Sequence, residues 1–171
     1  MMIFAVFSGL FIYSCVKKPS YSSTPVISYN NFFRYGVNAS DPDSIVLAIN
    51  FQDEEGDIGL DQSDMNGVFK YGNLWLVYYY DSANVYPYYW CPFDTSVGPL
   101  TPFDTLKIPF RVPVVLPQNE TSQPMKGIIY AKLNRMIIRP LPSHKTIMYQ
   151  IYLYDRAMHK SNVVLTPVYV F

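Results

Sequence analysis

The most regular pattern in the chain is an alternation of apolar with smaller or polar positions that begins after Ser44. The apolar positions fall on every second residue: Ile45, Leu47, Ile49 and Phe51. This is the period-2 pattern of a strand with one buried face. Residues 53–61 then crowd acidic side chains around two glycines, which is typical of a loop. The pattern predicts a rigid strand that ends in an acidic loop.

The same reasoning predicts seven or eight short strands separated by turn residues. Residues 74–80 are apolar on both faces, as in a central strand, and residues 106–113 carry outward prolines that suit a sheet edge. Residues 147–154 place four apolar side chains on one face, which we expect to be core. The other predicted strands are residues 26–33, 86–93, 127–133 and 163–171. Short strands with intervening turns indicate an antiparallel β-sandwich.

The composition supports an all-β fold and excludes two classes of protein. Half of the 171 residues are apolar and 17% are aromatic, which excludes a chain that is disordered throughout. The 16 tyrosines and 11 phenylalanines favour strands, and 14 prolines interrupt the chain frequently. Because 13 basic residues balance 13 acidic residues, we do not expect an electrostatic nucleic-acid binder.

The N-terminal residues predict a targeting segment. Residues 3–13 form an apolar run that is too short to span a bilayer as a helix. The run leads into Ile12-Tyr13-Ser14-Cys15, which resembles a bacterial lipobox. The resemblance implies cleavage before Cys15 and acylation of that cysteine with chains such as palmitate, and two or three chains hold a protein stably on a membrane. The alternatives are a plain secretory signal and a buried hydrophobic strand.

This interpretation divides the chain into a signal peptide (1–14), a lipidated Cys15 with a flexible tether (15–25), and one domain (26–171). With Cys15 acylated, Cys91 has no intrachain disulfide partner, and we expect it to be a small buried hydrophobe. The predicted location is the outer membrane of the cell envelope. The periplasmic side is favoured over the surface, because the tether lacks the acidic residues of a surface-export signal.

Two further resemblances concern the domain. Residues 152–164, in which Asp155-Arg-Ala precedes Ser161-Asn, resemble the last hairpin of bacterial immunoglobulin-like domains. Together with the Gly-Asp-Ile-Gly loop at 56–59 and Arg111-Val-Pro, they resemble uncharacterised lipoproteins of Bacteroidetes. These resemblances imply an immunoglobulin-like β-sandwich in the cell envelope, and they assign no activity.

The acidic loop is the candidate site. Calcium takes six to eight oxygen ligands, and loops supply them from carboxylates at alternate positions. We therefore predict a calcium site formed by Asp53, Glu55, Asp57 and Asp61. An EF-hand is excluded, since it would need glycine where Ile58 stands. The alternative is that these carboxylates cap turns and stay solvated.

Enzymatic activity is not expected from this sequence. It contains neither an HExxH nor a GxSxG motif. The acidic residues cluster on one loop, whereas a paired-carboxylate glycosidase needs two carboxyl groups that face each other across a cleft. We expect a protein without catalytic residues.

The aromatic residues suggest a binding role. Tyr86, Tyr88, Tyr89 and Trp90 lie together in one predicted strand, and exposed rings both stack on sugars and anchor protein interfaces. We expect a membrane-anchored accessory lipoprotein that binds a protein partner in the envelope. The alternative is a glycan-binding lipoprotein of a polysaccharide-uptake system. Coplanar exposed rings would favour the glycan, and a flat apolar patch would favour the protein.

Overall fold

The computed structural model describes residues 19–37, 42–80, 107–115, 122–135 and 146–170. These residues form an all-β fold with a single 3₁₀-helical turn, Gly67–Lys70. No helix within these ranges is long and apolar enough to cross a membrane. The eight strands are β1 (Val26–Tyr35), β2 (Ser44–Asp53), β3 (Leu74–Tyr80), β4 (Lys107–Phe110), β5 (Met125–Asn134), β6 (Thr146–Leu153), β7 (Val164–Leu165) and β8 (Tyr169–Val170).

The strands form two antiparallel sheets, which confirms the predicted all-β sandwich. The first sheet has the order β1-β2-β5, and the second has the order β4-β3-β6-β7, with β8 also paired to β6. β3 lies between β4 and β6, as its two apolar faces predicted. Among the described strands, β4 lies at a sheet edge. This position tolerates Pro109, which has no N–H to donate to a neighbouring strand.

β2 and β6 supply the centre of the core. The inward side chains of β2 are at most 9% exposed: Ile45, Leu47, Ile49 and Phe51. The inward side chains of β6 are at most 1% exposed: Ile147, Tyr149, Ile151 and Leu153. Both rows belong to one hydrophobic cluster, so the two sheets pack face to face. The predicted core faces of both strands are confirmed.

Two irregular stretches have local causes. β1 changes register between Tyr29 and Asn31, so the prediction of an irregular first strand is confirmed. The single strand predicted at residues 163–171 is divided into β7 and β8. Thr166 lies between them and hydrogen-bonds Tyr149 through both its N–H and its Oγ1, and Pro167 then lacks the N–H needed to continue the ladder.

Asn73 is a fully buried polar residue that joins three loops at one end of the sandwich. Its Nδ2 donates to the carbonyl oxygens of Ile58 and Tyr154, and its Oδ1 accepts from the N–H of Val112 at 3.0 Å. All of its side-chain hydrogen bonds therefore go to backbone groups of other segments. The residue fixes the loop that follows β2 against the segments that follow β4 and β6.

A second amide joins β1 to the turn after β6. Asn162 Oδ1 accepts from Ile27 N–H at 2.8 Å, and Asn162 Nδ2 donates to Ile27 O at 2.9 Å. Upstream of β1, Tyr21 N–H donates to Glu54 Oε2, and Glu54 N–H donates to Ser22 O at 3.1 Å. Tyr21 and Ser22 of the predicted tether therefore already contact the domain. The predicted strand 86–93, Cys15 and Cys91 lie outside the described residues.

Replacing Leu153 with Asp should unfold the domain. The substitution buries an unpaired carboxylate in the core, a cost of several kcal/mol against a total stability of roughly 5–15 kcal/mol. The control is Lys132→Asp, because Lys132 is exposed on β5. Urea unfolding followed by circular dichroism measures both variants. A Leu153→Asp protein that unfolds cooperatively at the wild-type midpoint would contradict the assigned core face.

Replacing Asn73 with Ala should destabilise the domain by about 3 kcal/mol or more, because three buried backbone groups lose their partner. The matched control is Asn66→Ala. Asn66 precedes the 3₁₀-helical turn, is exposed and makes no side-chain capping hydrogen bond, so its loss should stay within about 0.5 kcal/mol. Urea midpoints compare the two variants, and equal midpoints would refute the role given to Asn73.

Candidate functional site

The acidic loop lies where the ends of the two core strands meet. Asp53 is the last residue of β2, and Asp155 follows β6 by two residues. In both strands the carboxylate takes the next inward position after the apolar row, since Asp53 follows Phe51 and Asp155 follows Leu153 with period 2. The N–H of Arg156 donates to the carbonyl oxygen of Asp57 at 3.1 Å and joins the two segments.

Three carboxylates converge at this junction: Asp53, Asp57 and Asp155. Each offers one oxygen, and the three oxygens lie within 4.8 Å of one another. Asp53 is 0% exposed and Asp155 is 1% exposed, while Asp57 is half-buried. Ionised carboxylates this close together in a buried position repel one another unless a proton or a cation compensates their charge.

Asp53 has one satisfied and one unsatisfied oxygen. Its Oδ2 accepts from the N–H of Gly56 at 2.7 Å and of Asp57 at 3.2 Å. Gly56 has φ +68°, and the glycine permits the tight turn that brings both N–H groups to this oxygen. Within the described residues, Asp53 Oδ1 and Asp57 Oδ1 are buried and have no hydrogen-bond partner.

The surroundings change the acidity of these groups. Burial, followed by the negative charge of Asp57, raises the pKa of Asp53 to about 6, although the Gly56 and Asp57 amides act in the opposite direction. Burial and the charge of Asp155 also raise the pKa of Asp57. Both shifts show that the folded protein disfavours the ionised forms at this junction.

Asp155 is held by His159. Asp155 Oδ1 accepts from His159 N–H at 2.7 Å, and Asp155 Oδ2 lies 2.9 Å from His159 Nδ1. The hydrogen bond to Asp155 and the charge of that carboxylate raise the pKa of His159, whose ring is largely exposed. Asp155 therefore has a fixed orientation at the turn.

The structure brings together two of the four predicted calcium ligands, Asp53 and Asp57. Glu55 is on the same loop, and its Oε2 is buried without a partner in the described residues, but Glu55 is not one of the three converging carboxylates. Asp61 lies apart from them. Its Oδ1 accepts from the N–H of Gln62 at 2.6 Å, which is the turn-capping role considered as the alternative.

Arg111 fixes the part of the loop that carries Asp61. Its Nη2 donates to Asp61 O at 2.6 Å, and its Nη1 donates to Asp64 O at 3.1 Å and Phe69 O at 3.0 Å. Asp61 therefore takes part in a backbone clamp. Arg111 belongs to the Arg-Val-Pro segment that the sequence singled out without assigning it this role.

Sequence reasoning missed Asp155 as a member of the site. The signal was present in the alternation, because Asp155 continues the inward row of β6 just as Asp53 continues that of β2. Finding it required knowing that these two strand ends lie at the same end of the sandwich. That fact depends on sheet pairings between residues 67 to 90 positions apart.

A second feature is an exposed apolar surface on the outer side of the first sheet, here called the outward face. Its apolar members, placed by the strand register, are Phe33, Val46, Ala48, Ile128 and Tyr130, of which Ala48 is buried. The polar Ser28, Asn31 and Asn50 lie on the same side. Three of the apolar members expose large side chains, with Tyr130 63%, Ile128 43% and Phe33 38% exposed. Lys126 and Lys132 flank them on β5 and are also exposed.

The predicted aromatic ligand site, Tyr86, Tyr88, Tyr89 and Trp90, lies outside the described residues. No protein-family model, curated protein or solved structure matches the chain. A function for this protein therefore has to be argued from the residues and geometry of the chain itself.

Proposed function

We propose that the chain is a non-catalytic, membrane-anchored accessory lipoprotein whose sandwich binds a protein partner in the bacterial envelope. The observation that supports this function best is the outward face of the first sheet. Ile128 and Tyr130 are large exposed side chains that adjoin one another on β5. Such neighbours are typical of interaction sites, and tyrosine is enriched at the residues that dominate binding energy.

The residues around the outward face indicate the chemistry of the partner. Tyr130 lies between Ile128 and Lys132 on one side of β5, and Lys126 continues the same row. An apolar centre with two lysines at its rim suits a partner surface that has an apolar patch bordered by carboxylates. Such a surface is a property of a protein rather than of a neutral glycan.

A groove near β4 and β5 lies within the described residues. This groove has a volume of about 280 Å³ and lies beside Phe51, Phe110 and Ile129. Its lining is apolar apart from Tyr130 and Arg111, and it includes no carboxylate, histidine or cysteine. A groove of this composition offers no acid–base pair or nucleophile to a substrate.

We also propose that the sandwich is immunoglobulin-like, which is more specific than the all-β sandwich described above. In such domains the first, second and fifth strands share one sheet, and the third and sixth pair in the other. The observed orders β1-β2-β5 and β4-β3-β6-β7 agree with that connectivity if β4 takes the position beside the third strand. The observed strand order therefore supports the proposed likeness.

The glycan-binding alternative has less support from the described residues. The half-buried rings of Tyr152 and Tyr154 are 86° apart, so they do not form a coplanar platform for a sugar. The aromatic residues on which that alternative depended, from Tyr86 to Trp90, lie outside the described ranges. We therefore place the protein partner first, with the domain on the periplasmic side of the outer membrane.

Changing Cys15 to Ser should move the protein from the membrane fraction to the soluble fraction, because acyl chains on this residue would supply the anchor. Fractionation of cells at high salt, with mass spectrometry of the N-terminal peptide, measures the effect. Cys91→Ser is the matched control and should stay on the membrane. A Cys15→Ser protein that still sediments with membranes, or a wild-type peptide without acyl mass, would refute the anchor.

A photo-crosslinking residue at position 130 of the full chain, expressed in its own bacterium, should give one adduct with a single envelope protein. The double change Lys126→Glu and Lys132→Glu should reduce that adduct about tenfold or more, because it would repel the acidic rim of the partner. The same crosslinker at Val168, which is 59% exposed and adjoins β8, is the control and should not give this adduct.

Two results would overturn the proposed partner binding. Equal adducts at positions 130 and 168 would mean that the outward face is an ordinary surface. An adduct that glycosidases remove, without an attached protein, would assign the face to a glycan.

A further inference from the structure

We propose that Asp53, Asp57 and Asp155 bind one calcium ion, which links the ends of the two sheets. This inference is independent of the proposed partner binding and concerns a different part of the molecule. It differs from the site predicted on the sequence, because it takes Asp155 from the second sheet and assigns Asp61 to the backbone clamp of Arg111.

The evidence for a ligand is the unsatisfied carboxylate. Asp53 is fully buried, and its Oδ1 has no hydrogen-bond partner within the described residues. The Oδ1 atom of Asp57 is also buried and has no hydrogen-bond partner in this part of the chain. A buried ionised oxygen without a partner is strongly unfavourable, so these atoms call for a positively charged ligand or a proton.

The donor atoms favour calcium among the common metals. All three side chains supply oxygen, whereas zinc sites usually include nitrogen or sulfur ligands. Magnesium usually takes one or two carboxylates and keeps several waters, while calcium accepts more carboxylates in irregular loops.

Asp155 can serve as a ligand although His159 already contacts it. Each carboxylate oxygen has two lone pairs, and each oxygen of Asp155 makes one contact with His159. A lone pair on either oxygen therefore remains for a cation. His159 acts as a positioning residue that orients this carboxylate, as outer partners commonly do at metal sites.

The competing explanation is a proton shared between the carboxylates. The raised pKa values of Asp53 and Asp57 are consistent with either explanation, since burial and then the neighbouring carboxylate raise both values whenever no cation is bound. The two differ in their response to calcium at a pH where the carboxylates ionise. A calcium site would stabilise the fold on addition of the ion, and a shared proton would not.

Thermal unfolding of the full chain at pH 7.5, with calcium chloride or with a chelator, tests the proposal. Calcium at about a hundred times its Kd should raise Tm by about 5–10 °C. Asp155→Asn should abolish that shift, whereas Asp61→Asn, a matched loss of one carboxylate from the same loop, should retain it.

Asp53→Asn provides a test with two opposite effects. It should raise Tm in the chelator, because it removes a repelling charge while its amide oxygen can still accept from Gly56 and Asp57. It should also abolish the response to calcium. A residue with only a structural role would lower Tm in both conditions.

Calorimetric titration with calcium keeps the proposal testable where Asp155→Asn does not fold. The wild-type chain should bind one calcium ion, and Asp57→Asn should bind it at least tenfold more weakly. Unchanged wild-type Tm in calcium would overturn the proposal and assign a shared proton. If Asp61→Asn lost the calcium-dependent Tm shift as fully as Asp155→Asn, the site would lie on the single acidic loop. A Tm shift of equal size with magnesium chloride would remove the assignment to calcium.

Discussion

The rest of the structure depends on the alternation of inward and outward side chains along the two core strands, β2 and β6. Because every second side chain of a strand points to the same face, a strand continues to bury every second residue until it turns away from the core. In β2 the inward row therefore continues from Phe51 to Asp53, and in β6 it continues from Leu153 to Asp155. Both rows end in a carboxylate at the same end of the sandwich, so the packing that forms the core also creates a buried concentration of negative charge.

Polar side chains from other segments hold this end closed. Asn73 and Arg111 hydrogen-bond backbone groups of loops that are distant in sequence, and Asn162 hydrogen-bonds the backbone of Ile27 in β1. Loops expose carbonyl and N–H groups that would otherwise need water, and these three side chains satisfy several of them inside the protein. Asn73 and Arg111 therefore hold the segment that follows Asp57, through the carbonyl oxygens of Ile58 and Asp61.

The sequence predicted local structure well because local patterns determine it. The alternations of β2 and β6 specified which faces are buried, and the outward proline of β4 indicated that this strand lies at an edge. Local patterns do not specify which strands pair. The site predicted from the sequence therefore included Asp61, which is close to Asp57 along the chain, and did not include Asp155. The division of the last strand also escaped prediction, since Pro167 shows its effect only once Thr166 is paired with Tyr149.

The acidic end of the sandwich also orients the domain if Cys15 carries the anchor. Tyr21 donates to Glu54 beside the acidic loop, and Tyr21 is six positions after Cys15, a reach of at most about 20 Å. The carboxylates would then lie close to the membrane. Tyr130 pairs with Ala48, five residues before Asp53, so it lies about 17 Å farther along the sheet. The closed acidic end would thus adjoin the membrane, and the outward face would remain accessible to a partner from the side.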